Sequence, residues 1–313
     1  TPVKAFLLGL TVTAVVQSST ATIVLTSGLV GAGIISLGQS LGIIIGANVG
    51  TTITGQIIRL LDLNSSGTWF LQFLKPSTLA PLALIIGIVI IMGMKSSDSA
   101  KIGHIIIGFG ILFSGLLTMT DAVSVLSDSG IVERLFSVLG ENPLLAYLSG
   151  AGVAFALQSS SATIGILQAF STSGQLTFGE IYTVLVGVYL GDCVTTAIVC
   201  NIGAKPDAKR VGVVNILYNL SKSALILLVV TIIHKAGLLD GIWNQAIYSG
   251  GIANTNTVFN LACALILLPF VGIYEKVSYK LVKSEPVALG KYDEMLDSLN
   301  PVFISTPAMA FGR

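Results

Sequence analysis

The chain has 313 residues, 53% of them apolar and only 10% charged, where an ordinary soluble domain carries roughly 25% charged residues. Such a composition belongs to an integral membrane protein. A formal net charge of +1, with no basic run interleaved with aromatics, argues against nucleic acid as a partner.

Taking roughly 20 apolar residues as one crossing, apolar segments fall near residues 3–28, 37–61, 77–95, 102–122, 143–172, 178–202, 210–234 and 251–275. The connections are short and hold most of the charges. Residues 123–142 mix Asp128, Glu133, Arg134 and Glu141 with Val125, Ile131, Leu135 and Phe136, which suits either a helix on the membrane surface or a solvated connector. After Tyr274, Glu275, Lys276, Lys280 and Lys283 mark an exit from the membrane.

One stretch of the first segment is out of place in lipid. No residue from Ala5 to Ile58 carries a formal charge, yet Gln17-Ser18-Ser19-Thr20-Ala21-Thr22 puts an amide and four hydroxyls inside this apolar run. The stretch returns as Gln158-Ser159-Ser160-Ser161-Ala162-Thr163. The same offset of 141 residues superposes Gly9 on Gly150, Gly46 on Gly187, Gly50 on Gly191 and Thr54 on Thr195 without a gap. This register spans too many polar and glycine positions to be coincidence, so the chain reads as two copies of one unit.

Two geometries fit the hexamer segments. Each could cross the membrane once, or enter and leave on one face as a re-entrant hairpin with the hexamer at its tip. Residues 3–16 as a helix span about 21 Å, short of the roughly 30 Å core. Hairpins separated by three crossings would make the repeat inverted, whereas simple crossings would make the copies parallel. Either way the distribution of Lys and Arg places the C-terminus in the cytoplasm.

The hydroxyls of Ser18, Ser19, Thr22, Ser159, Ser160, Ser161 and Thr163, with the N–H groups of a helix start, suit a small oxyanion. Together with the amide oxygens of Gln17 and Gln158 they equally suit a small hard cation. The stretch Gly46-Ala47-Asn48-Val49-Gly50-Thr51-Thr52 has the pattern of an unwound crossing helix whose carbonyls could hold a cation. In the second copy the asparagine has become Tyr189, and a carboxylate appears at Asp192. That carboxylate is a candidate for binding a cation, carrying a proton, or pairing with Lys222. Asn215, Asn219, Asn256 and Asn260 could line the site or bond across helices. Three cysteines without metal-type spacing and two distant histidines, His104 and His234, offer no transition-metal centre, and no catalytic set can be assembled.

The paired Gln-Ser-Ser hexamers, each followed by a glycine-threonine segment, resemble the type II sodium-phosphate cotransporter family over about residues 3–275. The resemblance implies an all-α polytopic membrane protein of two inverted repeats, each with a re-entrant helical hairpin and an interrupted transmembrane helix. It implies phosphate import coupled to sodium by alternating access, with no other cofactor. The phosphate site is expected at Gln17, Ser18, Ser19, Gln158, Ser159, Ser160 and Ser161. Sodium is expected at Thr22, Asn48, Thr51, Thr52, Thr163, Thr195 and Thr196, with Asp192 added from its own position. Tyr189 and Asp192 depart from the family's usual Gly-x-Asn-x-Gly-Thr.

The expected organisation is a first repeat over 1–100 lacking its leading helix, a second over 101–240, a further C-terminal membrane helix over 241–283, and a linker over 284–313 toward an absent PhoU-like domain. The expected location is a bacterial plasma membrane, with association as a homodimer left open. Two rivals stand beside phosphate import: a sodium-coupled transporter of another small anion such as sulfate or a carboxylate, and a membrane-embedded phosphate sensor or regulatory protein.

Overall fold

The computed structural model describes residues 2–59, 76–93, 97–174 and 176–283; the expected linker over 284–313 lies outside the described residues. In chain order the helices are α1 (Pro2–Val16), α2 (Ser19–Gly31), α3 (Leu37–Gly50), α4 (Thr52–Ile58), α5 (Pro76–Gly93), α6 (Ser97–Asp128) and α7 (Ile131–Glu141). They continue as α8 (Pro143–Leu157), α9 (Ser160–Ser171), α10 (Phe178–Asn201), α11 (Pro206–Lys235), α12 (Asp240–Trp243), α13 (Ser249–Leu267) and α14 (Val271–Leu281). Five apolar stretches among the described residues are long enough to cross a bilayer: Leu37–Ile58, Asp98–Asp128, Phe178–Asn201, Pro206–Lys235 and Ser249–Leu281. The chain is an all-α polytopic membrane protein.

Helices α1 and α8 are 15 residues each, about 22 Å and too short to cross. Both end at the glutamine of a hexamer. Gln17 (φ 58°) and Gln158 (φ 54°) are the non-glycine residues with left-handed backbone among the described residues, and each breaks the helix before it. The first break reverses the chain. Thr13 Oγ1 in α1 donates to Thr22 Oγ1 in α2 at 2.9 Å, whereas the two would lie about 13.5 Å apart along one continuous helix. The second copy repeats the local geometry. Ser18 and Ser159 are extended N-caps whose hydroxyls accept from Ala21 N and Ala162 N, and Thr22 and Thr163 return their hydroxyl protons to Ser18 O and Ser159 O.

The glycine-threonine segments behave differently from expectation. In the first copy the helix is interrupted only at Thr51, which itself keeps right-handed helical angles (φ −59°, ψ −26°). In the second copy α10 runs unbroken through Gly187 and Thr196. The physical reason is close packing. A Cβ on Gly46 would lie 2.0 Å from Phe6 O in α1, and one on Gly187 would lie 2.0 Å from Tyr147 O in α8. These glycines therefore let two backbones touch instead of unwinding a helix. Thr195 and Thr196 satisfy their hydroxyls on Gly191 O and Asp192 O one turn back, which keeps the backbone helical.

Residues 123–142 divide at Gly130 (φ 70°): the first part extends α6, and the second forms the amphipathic α7. Helix α7 buries Val132, Phe136 and Leu139, and leaves Ile131, Leu135 and Val138 exposed, as a helix at a membrane interface does. At the centre, α11 packs against α10, α2, α3, α13 and α14.

Candidate anion and cation site

The two hexamer tips meet at one small cavity. It is lined by Ser19 and Ser160 from the tips, Asn48 and Thr51 from the first copy, Ile164, Tyr189 and Asp192 from the second, and Asn219, Lys222 and Asn260 from α11 and α13. About 10 Å³ is left for the centre of a water-sized sphere, room for a single water molecule and too little for a tetrahedral oxyanion. The cavity is therefore too small, as it stands, to hold such an anion.

Ser19 and Ser160 are the first residues of α2 and α9, so both cavity serines sit at electropositive helix N-termini. The Ser160 N–H donates to Asp192 Oδ1 at 3.4 Å, and so a carboxylate already occupies one of these helix starts. The first tip is tied to α10 by Thr20 and Thr196, whose hydroxyls lie 3.2 Å apart.

Behind the serines lies a buried polar cluster built on Lys222, which is fully inaccessible to solvent. Its Nζ donates to Asn260 Oδ1 at 2.9 Å and to Asn48 Oδ1 at 3.4 Å, and lies 3.8 Å from the centroid of the Tyr189 ring. Tyr189 donates its hydroxyl to Asn256 Oδ1 (2.8 Å) and accepts from Asn260 Nδ2 (3.2 Å). Asn48 Nδ2 and Asn219 Nδ2 both donate to Asn215 Oδ1. Each asparagine orients the next, although Asn256 Nδ2 is buried without a hydrogen-bond partner. Among the ion pairs of the described residues none joins Lys222 to Asp192.

Of the residues expected to bind phosphate, Ser19 and Ser160 line the cavity. Ser18 and Ser159 spend their side chains as caps, and Ser161 lies one residue further along α9. Gln17 and Gln158 are exposed at the breaks, where Gln17 accepts from Thr54 Oγ1 at 2.6 Å. Of the residues expected to bind sodium, Asn48, Thr51 and Asp192 line the cavity. Thr22, Thr163, Thr195 and Thr196 are buried and bond to carbonyl oxygens of their own helices or caps, and the buried Thr52 at the start of α4 bonds to Val49 O of α3. Asn219 and Asn260 line the cavity; Asn260 also bonds across helices to Lys222 and Tyr189, whereas Asn219 bonds to Asn215 of its own helix. Ile164 was not foreseen. Its place in the sequence is an ordinary apolar helix position, and nothing but the fold brings it to the cavity.

Residues 1–121 and 118–246 each match the family described as Na+/Pi-cotransporter, so the family's sequence pattern occurs twice. The chain belongs to the Na+/Pi-cotransporter family. It is 28% identical over 283 residues to the "Putative inorganic phosphate export protein YjbB" of Salmonella typhimurium strain LT2, covering 90% of this chain and 48% of that protein. The Escherichia coli K12 protein of the same name is 29% identical over the same shares. "Uncharacterized protein YqeW" of Bacillus subtilis 168 is 26% identical over 288 residues, covering 91% of this chain and 86% of that protein. The chain thus spans about half the length of the phosphate-export relatives it matches. No solved structure gives a significant match. Within the Na+/Pi-cotransporter family, the double match coincides with the two hexamers and their shared local geometry.

Proposed function

We propose that this chain is a secondary transporter that carries inorganic phosphate across the membrane together with sodium by alternating access. One observation supports the reading above all: a serine from each hexamer, each at a helix N-terminus, lines one small cavity that a carboxylate also lines. In the open site, the hydroxyls of Ser19 and Ser160 and the N–H groups of both helix starts hold the anion. Asp192 and Thr51 hold sodium beside it, which offsets the anion's charge. The two copies are inverted, with the site near the midplane, and one part of the pair moves against the rest. The C-terminus is cytoplasmic.

Coupling has a physical reason. Moving one charge across 100 mV is worth about 2.3 kcal/mol, so a divalent phosphate entering an inside-negative cell costs about twice that. Import follows when enough sodium accompanies each phosphate. A carrier is reversible, and the relatives named for phosphate export favour a second reading in which net flow is outward.

The test is exchange of labelled for unlabelled phosphate by the purified chain in proteoliposomes, with Ser19→Val and Ser160→Val beside it. Exchange blocked by phosphate but not by sulfate or acetate, and lost in both folded variants, is expected. Exchange that sulfate inhibits equally would assign the other-anion rival. Phosphate binding without exchange would assign the sensor.

A further inference from the structure

The transport reading leaves a buried cation unexplained. Lys222 sits on α11, thirteen residues from the end of that helix at Lys235 and wholly enclosed by protein. A lysine at such depth in a membrane protein marks a functional site, because the cost of its charge must be met by specific partners.

Its partners are of a particular kind. The ammonium sits between two amide oxygens, Asn260 Oδ1 at 2.9 Å and Asn48 Oδ1 at 3.4 Å, and the face of the Tyr189 ring at 3.8 Å. Neutral oxygens are hard ligands of the sort a sodium ion takes. The aromatic face adds a surface that attracts any monovalent cation. Each copy contributes one partner to this holder from the same position of the 141-residue register, Asn48 from the first and Tyr189 from the second. Asn260 of α13 adds the nearer oxygen, and the ammonium lies among the three at the cavity wall.

Resting on the transport reading, we propose that Lys222 is a resident cation occupying a sodium-type position. The chain therefore co-transports one fewer sodium ion per phosphate than it would with that holder empty. A tethered charge does not cross the membrane with the substrate. It returns with the empty carrier and contributes nothing to the net charge moved per cycle. With a single sodium held beside Asp192, a divalent phosphate carries net negative charge in the direction it travels. An inside-negative potential then drives phosphate outward.

The experiment uses the full chain in proteoliposomes at a pH just above neutral, where the divalent anion already predominates and a lysine ammonium keeps its proton. Labelled sodium and labelled phosphate are counted in the same vesicles for wild type, Lys222→Arg and Lys222→Ala. Expected are equal sodium-to-phosphate ratios in wild type and Lys222→Arg, and a ratio higher by one in Lys222→Ala. The same ratio in all three would overturn the proposal, as would Lys222→Ala losing phosphate affinity at every sodium concentration, the mark of a lysine that touches phosphate.

A second measurement needs no variant. With sodium and phosphate equal on both sides, an inside-negative potassium diffusion potential should drive phosphate out of wild-type vesicles, and inward movement would contradict the single transported sodium that the resident cation leaves. Absence of phosphate exchange under any condition would remove the transport reading, and this proposal with it.

Discussion

The ammonium of Lys222 and the ring of Tyr189 are stacked, 3.8 Å from nitrogen to ring centroid, in the interior of a chain with few charges. The tyrosine also holds the cluster together through its hydroxyl, which bonds to Asn256 and Asn260. Ring and hydroxyl can be separated by substitution. Tyr189→Phe should cost about 0.5–1.5 kcal/mol for the lost hydrogen bonding. Tyr189→Leu removes the ring as well, and should cost roughly a further 0.5–2 kcal/mol. Thermal unfolding of the purified variants reads the difference, and equal midpoints would show that the ring face does not support the lysine.

The close contacts of α1 with α3 and of α8 with α10 yield a second prediction. Gly46→Ala and Gly187→Ala place a methyl 2.0 Å from a carbonyl oxygen, so the helices must separate, and each variant should lose about 1–3 kcal/mol or more. Gly108→Ala in α6 meets nothing within 4 Å, and should instead gain about 0.5–1 kcal/mol from reduced backbone freedom. Unfolding midpoints that move oppositely in the two kinds of variant would confirm both.

A third prediction concerns the two cavity serines. Each hydroxyl is assigned one hydrogen bond to a charged oxyanion, about 1.5–3 kcal/mol, so Ser19→Ala or Ser160→Ala should weaken phosphate by roughly 10- to 100-fold. Ser27 is a buried serine of α2 whose hydroxyl bonds to Ala208 O at 2.9 Å away from the cavity. Ser27→Ala should leave phosphate affinity as it was. Concentration dependence of phosphate exchange checks all three.

Asp192 carries the fourth. If its carboxylate holds sodium, Asp192→Asn keeps an oxygen for the Ser160 N–H but removes the charge. Apparent sodium affinity should then fall at least about tenfold, equivalent to about 1.4 kcal/mol, with phosphate binding recovered at high sodium. A variant whose sodium dependence matches wild type would move the sodium elsewhere.

Much of this architecture could be read from residues alone, and the reasons differ from element to element. The hexamers announced themselves because polar groups in an apolar run demand partners, and their recurrence fixed the register that the helix breaks at Gln17 and Gln158 now share. The glycine-threonine segments have the sequence pattern of an unwound helix, yet the second is unbroken and the first is interrupted only at Thr51. Glycine permits both an opened helix and a touching pair of backbones, and only the partner at Phe6 or Tyr147 distinguishes them. Lys222 was weighed as a partner for Asp192 because both lie deep in apolar segments. Sequence could not show that Tyr189 and two asparagines from other helices would reach the ammonium instead. Residues such as Ser18 and Thr163 belong to the motif yet serve as caps and helix back-bonds, a division of labour set by backbone geometry that composition does not carry.

The measurement to make first is accumulation of labelled phosphate in proteoliposomes under an inward sodium gradient, with the membrane potential clamped at zero and potassium replacing sodium in the control. Phosphate should accumulate above its external concentration only with the sodium gradient, and excess sulfate should not reduce it. Equal uptake with potassium, or no uptake by a folded and correctly inserted chain, would contradict a sodium-coupled phosphate carrier.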